Sequence, residues 1–588
     1  MQRNTPFGSY RDLLSRYLSP RLAPAALMGC CLLAATGLQL ATPAIAGAFI
    51  DSASSGLPES GLIRLALLFL GTALFGQVAN LLATLLSERI AWQATNELRI
   101  DLTRHLLSLD QTFHAHHLPG ELIERVDGDV SALSTLLSAA AVDLFGSALL
   151  LCGLVVALWL VHATLGFVFG GFVILTAATL EAIRRRAVPL QTRSRAGSAS
   201  YFGFVGEALD AAEDVRANAA STYVMARVRA HLASWMPFYV RAEVSGYAVW
   251  VAALVAFGIG DGLAYAFGAH LYLTHALSLG SVYTIVAYAA LVAQPLGTLR
   301  QRLVELQGAD AGIVRIQALF RERSTLEQGT AHIPHGPLAI SFADVRFAYP
   351  NGQCSEAQSD RSALRCISFH VAAGRRLGVI GTTGAGKSTI ARLVMRLYDP
   401  QEGSVQLAGI DLRSLRLAEL RAKIGYATQE VQIFRASLRD NLTLFDPAAR
   451  DDDLLARLEA LGLGQWLARQ PDGLSTQISS AALSAGEAQL ISLLRVYHKD
   501  PPVVLLDEIS SRLDPATEAA LDRALEYLLK DRTAIVIAHR PWTLEHMDDI
   551  LVLAKGQVVE FGERSVLAMN PQTHFSRFRR TAFREVRG

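Results

Sequence analysis

A 588-residue chain that is 51% hydrophobic, with a mean hydropathy of +0.29, is too apolar for an ordinary soluble protein of its size. A formal net charge of +1 gives no basic field for nucleic acid, and the five cysteines, three of them (Cys30, Cys31 and Cys152) in apolar runs, have no metal, redox or disulfide spacing. The apolar excess lies in the first 300 residues, so a membrane domain is expected ahead of a more polar one.

The chain opens with Arg3, Arg11 and Arg16 and no cleavable apolar core, which argues against a secretory leader. Tyr10, Leu13, Leu14, Tyr17 and Leu18 share one helical stripe. Residues 1–21 are therefore expected to form an amphipathic helix, either lying on the bilayer with its tyrosines at headgroup level or packed on the protein itself. Six apolar segments follow, at 22–50, 62–86, 141–160, 164–182, 245–272 and 281–305. Each approaches or exceeds the roughly 20 residues that cross a hydrocarbon core. The short connections hold no Lys or Arg, whereas the long ones, 87–140 and 183–244, carry Arg89, Arg99, Arg104 and Arg125, and Arg184, Arg185 and Arg186. By the positive-inside rule the long connections and both termini face the cytoplasm, in the inner membrane if the source is bacterial. Leu122, Val126, Val130 and Leu133 keep helical spacing, so the long connections read as membrane helices running on past the bilayer. Residues 22–320 are read as the transmembrane domain and 321–337 as a linker.

Three polar features stand out in this half. His114, His116 and His117 read as a solvated bend before Pro119 and Gly120 in preference to a metal site. Asp261, inside the fifth apolar segment, is expected to face a cavity or a partner group and not lipid. Pro295 is expected to kink the sixth segment.

From residue 338 to 588 short β-branched runs alternate with helical patterns, as in an α/β domain. The apolar run 377–380 precedes GTTGAGKST at 381–389, and a good helix former follows. Strand, glycine loop and helix make the context in which G-x-x-x-x-G-K-[ST] cradles phosphate. The loop Gly381, Thr382, Thr383, Gly384, Ala385 and Gly386 presents backbone N–H groups, Lys387 reaches the β- and γ-phosphates, and Ser388, followed by Thr389, is placed to ligate Mg²⁺. A second buried strand, 503–506, ends in two carboxylates. Asp507 is expected to hold Mg²⁺ and Glu508 to orient or deprotonate the attacking water.

Tyr349, GTTGAGKST, Gln429 in YATQEVQIF, LSAGE at 483–487, VVLLDE at 503–508, SRLD at 511–514 and His539 in VIAHR, in that order, resemble the nucleotide-binding domain of ABC transporters. The half in front, with PGELIERVDGDV at 119–130, resembles the exporter-type membrane domain of the same superfamily. The resemblance implies a six-helix transmembrane domain followed by a P-loop α/β domain with a helical subdomain. It also implies an ATP hydrolase that exports a small lipophilic or amphipathic substrate, drug-like, lipid or peptide, as a dimer with a second half-transporter. An importer on the same scaffold and a nucleotide-gated regulatory subunit are the alternatives. Carried over by position, Tyr349 stacks on adenine, Gln429 contacts Mg²⁺ or the lytic water, and His539 bonds the γ-phosphate. Ser484 and Gly486 meet the γ-phosphate bound by the other subunit, and residues 511–514 join the two sites. Short helices near 113–121 and 203–214 transmit the motion. Where the family has LSGGQ this chain has Ala485 and Glu487, and the negative charge of Glu487 near the triphosphate is expected to slow turnover.

Overall fold

A computed structural model describes residues 15–336, 338–350, 362–480, 483–507, 515–538 and 544–585. Two compact units divide the chain: Met1–Leu107 with Gly120–Glu322, and Ser108–Pro119 with Arg323–Gly588.

The first unit is all helix. Leu22–Ser54, Glu59–Ser108, Pro119–Val161, Ala163–Asp210 and Ser221–Leu273 are each long and apolar enough to cross a membrane, and Leu279–Pro295 is a shorter apolar helix. At a rise of about 1.5 Å per residue the 50-residue Glu59–Ser108 helix is about 75 Å long, more than twice a hydrocarbon core of roughly 30 Å. The long connections are thus continuations of the spans, as their periodicity predicts. The sixth segment breaks at Val292, between Leu279–Leu291 and Ala293–Arg321. Pro295 supplies the cause, since it has no N–H to return to the carbonyl of Leu291.

One detail differs from expectation. Residues 203–210 continue the Ala163–Asp210 helix, and the short helix follows the break at Ala211, at Ala212–Ala217. No proline or glycine interrupts 207–210, so the long helix runs on until Ala211 leaves helical geometry. At the N-terminal end, the described Tyr17 is 5% exposed and donates to Asp101 at 3.0 Å, while Arg21 bonds Glu97 at 2.6 Å. This part packs on the protein, one of the two arrangements expected for it.

The helices Leu22–Ser54 and Leu279–Leu291 cross at two glycines. A Cβ on Gly280 would lie 2.0 Å from the Gly47 carbonyl oxygen, and one on Gly47 would lie 2.6 Å from that of Gly280. Asp51 closes the crossing by accepting from the Gly280 N–H at 2.7 Å, and the Tyr288 hydroxyl donates to the Leu40 carbonyl at 2.8 Å. Gly280→Ala is expected to destabilise the domain by about 1–3 kcal/mol, as other overpacked sites do. Gly29→Ala, whose Cβ meets nothing within 4 Å, is expected not to destabilise it. Thermal melting of the detergent-solubilised variants checks both.

The second unit has two main sheets. Strands β1 (Ile340–Phe347), β2 (Leu364–Val371), β4 (Glu402–Leu407) and β5 (Ile410–Asp411) form an antiparallel sheet in the order β2-β1-β4-β5. Strands β3 (Arg376–Gly381), β6 (Ile424–Ala427), β9 (Val503–Asp507), β10 (Thr533–Ile537), β11 (Asp549–Ala554) and β12 (Gln557–Glu563) form the other, in the order β12-β11-β3-β10-β9-β6. All its pairings are parallel except β11 with β12. Val503, Val504, Leu505 and Leu506 are at most 1% exposed, which explains why β9 is apolar on both faces. A small pair, β7 (Ala436–Ser437) with β8 (Gln477–Ile478), borders a helical subdomain whose core includes Leu454, Leu458, Leu463 and Trp466.

The short helix Gln111–His116 belongs with this unit. Asp110 caps it by accepting from the Phe113 N–H at 3.0 Å and also accepts from the Thr325 hydroxyl at 2.6 Å. Burial raises the Asp110 pKa, but the bonds from Thr325 and Phe113 outweigh it and hold the carboxyl below its ordinary value. His116 Nδ1 lies 2.7 Å from the Thr112 carbonyl oxygen, and no cluster able to hold a metal occurs among the described residues. His114 and His116 lie within this helix and His117 caps its C-terminal end, where the sequence predicts a bend.

Candidate nucleotide site

Parallel strands bring their carboxyl ends to one edge of a sheet, where ligands of α/β domains bind. β3 lies beside β10 and β10 beside β9, with Ile537 opposite Asp507, so the ends at Gly381 and Asp507 are on one edge, two strands apart. After β3 the chain turns tightly, the Ala385 N–H donating to the Thr382 carbonyl at 3.0 Å, and enters the helix Lys387–Val394. Two glycines are required here. Gly386 has φ +100° and a Cβ there would meet the Ala363 carbonyl at 2.6 Å, while a Cβ on Gly381 would meet that of Leu553 at 2.3 Å. Thr383 and Gly384 form the exposed crest of the loop, whereas Ala385 is buried under it.

Lys387 is 8% exposed. Its ammonium donates back into the loop, to the carbonyls of Gly381 at 2.9 Å and Thr382 at 3.1 Å. The Ser388 hydroxyl donates to Asp507 Oδ1 at 3.2 Å, joining residues 119 positions apart. Asp507 Oδ2 accepts from the Tyr426 hydroxyl at 3.4 Å. Burial, and then the charge of Asp507, push the Tyr426 pKa above its ordinary value, so Tyr426 stays a donor at physiological pH. The oxygens of Ser388 and Asp507 are hard donors of the kind that suit Mg²⁺, which takes few protein ligands and completes its shell with phosphate and water.

Tyr349 follows β1. Its hydroxyl lies 3.1 Å from Thr389 Oγ1 and accepts from Arg392 Nη1 at 3.0 Å, and the Tyr398 ring meets its ring edge-on at 5.4 Å. The aromatic is held over the start of the Lys387–Val394 helix. Gln429 lies exposed in the bend after β6, beside the strand that ends in Asp507. Ser484 caps the helix Ala485–Lys499, and Gly486 is buried in its first turn. Glu487 completes a capping box there. Glu508, His539 and residues 511–514 lie outside the described residues.

Two participants escape a reading from sequence. Tyr426 carries no role there, although its place three residues before Gln429 is a signal. Trp466, which donates to Glu487 at 3.2 Å across 21 residues, leaves no local signal at all.

A bundle of membrane-crossing helices fused to an α/β domain with this loop defines a multi-pass membrane transporter driven by nucleotide. The model of the ABC transporter transmembrane region matches residues 26–296, and that of the ABC transporter domain matches residues 364–511. The chain belongs to the ABC transporter superfamily, binds ATP and couples its hydrolysis to transport. It is 26% identical over 538 residues to the uncharacterized ABC transporter ATP-binding protein YfiC of Bacillus subtilis, covering 89% of this chain and 86% of that one. It is 28% identical over 487 residues, 81% of each chain, to the ATP-dependent lipid A-core flippase of Alcanivorax borkumensis. In fold it matches the structure of a bacterial Atm1-family ABC exporter with ATP bound, with a TM-score of 0.75 at 24% identity over 96% of this chain and 98% of the other.

Proposed function

We propose that this chain is half of an exporter, working as a dimer with both termini in the cytoplasm, and that ATP binding closes two nucleotide sites across the dimer while hydrolysis lets them part. The observation that carries this reading is the buried Lys387 within its glycine loop beside the Ser388–Asp507 pair. In it, the loop 381–386 and Lys387 bind the β- and γ-phosphates, with Thr389 fixing Tyr349, which stacks on the adenine. Ser388, Asp507 and Gln429 hold Mg²⁺, which neutralises phosphate charge. Glu508 takes the proton of the attacking water, His539 fixes the γ-phosphate, and Ser484 and Gly486 of a second subunit cover it. Closure moves cargo only through a difference in ATP affinity between inward- and outward-open states.

The cargo route we assign to a cavity of about 610 Å³ in the helical unit, a size that suits a small molecule. Gln39, Gln77, Asn80 and Gln294 are among its lining residues, and Leu32 and Leu150 supply apolar wall. Asp143 also lines it, but its charge is matched by Arg302, which donates to Oδ2 from Nε at 2.9 Å and from Nη2 at 2.7 Å. Carboxamides in contact with hydrocarbon are unfavourable, and around a wet cavity they read hydrogen bonds. The lining therefore favours an amphipathic cargo with an electroneutral, hydrogen-bonding part, in keeping with relatives named for a lipid cargo. Gln77→Leu combined with Asn80→Leu is expected to weaken cargo binding about tenfold or more, because it removes partners from buried polar groups of the cargo. ATP-driven uptake into vesicles whose nucleotide domains face outward tests direction and cargo together; uptake only in the opposite orientation means an importer.

A further inference from the structure

The carboxylate of Glu487 is held on both oxygens. Oε2 accepts from the backbone N–H and from the hydroxyl of Ser484, each at 3.0 Å, and Oε1 accepts from the indole Nε1 of Trp466 at 3.2 Å. The Ser484 hydroxyl in turn accepts from the Glu487 N–H at 3.2 Å. A hydroxyl has one proton to donate, and here Glu487 takes it. If Ser484 meets the triphosphate of a second subunit, that proton is also what it must offer the γ-phosphate. Two anions then compete for one donor, and each repels the other.

Glutamine at this position weakens the competition without removing the cap. Its carbonyl accepts from the Ser484 N–H, since capping boxes use Glu and Gln alike, but as a neutral acceptor it holds the Ser484 hydroxyl proton less tightly than a carboxylate does and no longer repels the phosphate. Trp466 gives the arrangement a fixed anchor. It is 5% exposed and packed in the core of the helical subdomain, so its N–H can retain Oε1 when Oε2 lets go.

We propose that Glu487 is a positioning residue that sets the ATP concentration needed for closure. It withholds the Ser484 hydroxyl until a γ-phosphate displaces Oε2, and Trp466 keeps the displaced charge from following the serine toward the phosphate. This rests on the reading above that Ser484 acts across the dimer. The device explains how an acid is accommodated beside an anion site: its charge is tied to the helix it caps and to an indole.

The test uses the full-length protein in lipid nanodiscs. ATPase rate is measured against ATP concentration, alongside equilibrium binding of a non-hydrolysable ATP analogue and of ADP. Glu487→Gln is expected to lower the KM for ATP and tighten analogue binding, each about tenfold, the scale of exchanging a charge-assisted for a neutral hydrogen bond. ADP, which has no γ-phosphate, should bind as before. Trp466→Phe keeps an aromatic ring, though a smaller one, but loses the N–H, and should raise the KM several-fold. An unchanged KM in Glu487→Gln, or equal shifts for ADP and analogue, reduces Glu487 to a helix cap and overturns the proposal. Ser484→Ala separates the two levels. If analogue binding weakens in Ser484→Ala while Glu487→Gln behaves as the parent, only the latch fails; if Ser484→Ala binds the analogue as the parent does, the reading across the dimer fails with it.

Discussion

Lys387→Ala is expected to reduce ATP turnover at least about a thousandfold and to abolish transport with it. A single oxyanion donor is worth about 10²–10³ in rate, and Lys387 supplies a full positive charge from a nearly dry position. Its ammonium is aimed into the loop by the carbonyls of Gly381 and Thr382, so a phosphate arriving there meets a charge already oriented and largely stripped of water. Lys387→Arg should rescue little, because a planar guanidinium does not fit the space between two carbonyls built around an ammonium. Loss of the side chain takes one donor from each of those carbonyls, that of Thr382 still accepting from the Ala385 N–H, so a thermal melt must accompany the assay. Phosphate release and vesicle uptake measured on one preparation decide the outcome. Transport that persists without turnover contradicts a machine driven by hydrolysis.

How much of this was legible in the sequence follows from how far apart the partners lie along the chain. The glycine loop, the apolar strand before Asp507 and the long membrane helices are written in contiguous residues, so spacing alone announced them. The break at Val292 was half legible: Pro295 announced a kink, but its position was set by the carbonyl four residues upstream. Two π-helical turns, Arg125–Asp129, which contains Gly128, and Leu136–Ala140, interrupt the Pro119–Val161 helix. The first turn brings Asp129 to Arg315, 186 positions away, and that ion pair is a tertiary cause invisible to periodicity. Glu487 is the most instructive case. From sequence it is a charge placed badly for an anion site; in the structure the charge is spoken for by Ser484 and Trp466. Its type was readable, its partners were not.

Asp507→Asn should separate metal handling from nucleotide binding. The carboxylate is 4% exposed and stands between Ser388 and Tyr426, each giving it one hydroxyl bond. An asparagine has the same shape: its Oδ1 still accepts from Ser388, and its NH₂ faces the Tyr426 oxygen, which can accept. The fold should therefore hold. What disappears is the negative charge that a divalent cation needs, so turnover should fall about 10²–10³-fold, comparable to losing one key electrostatic contact at a reacting phosphate. The Mg²⁺ concentration for half-maximal rate should rise at least about tenfold, a loss of roughly 1.4 kcal/mol in cation affinity. Tyr426 provides a second and independent readout. Burial alone would still keep its pKa high, but without the neighbouring carboxylate it should move down toward the ordinary tyrosine value near 10, measurable by ultraviolet titration against a Tyr426→Phe control. ATP binding without metal should stay near the parent value because the loop and Lys387 are untouched. A variant that loses metal-free ATP binding and metal dependence equally would place Asp507 in the architecture of the loop and not at a cation.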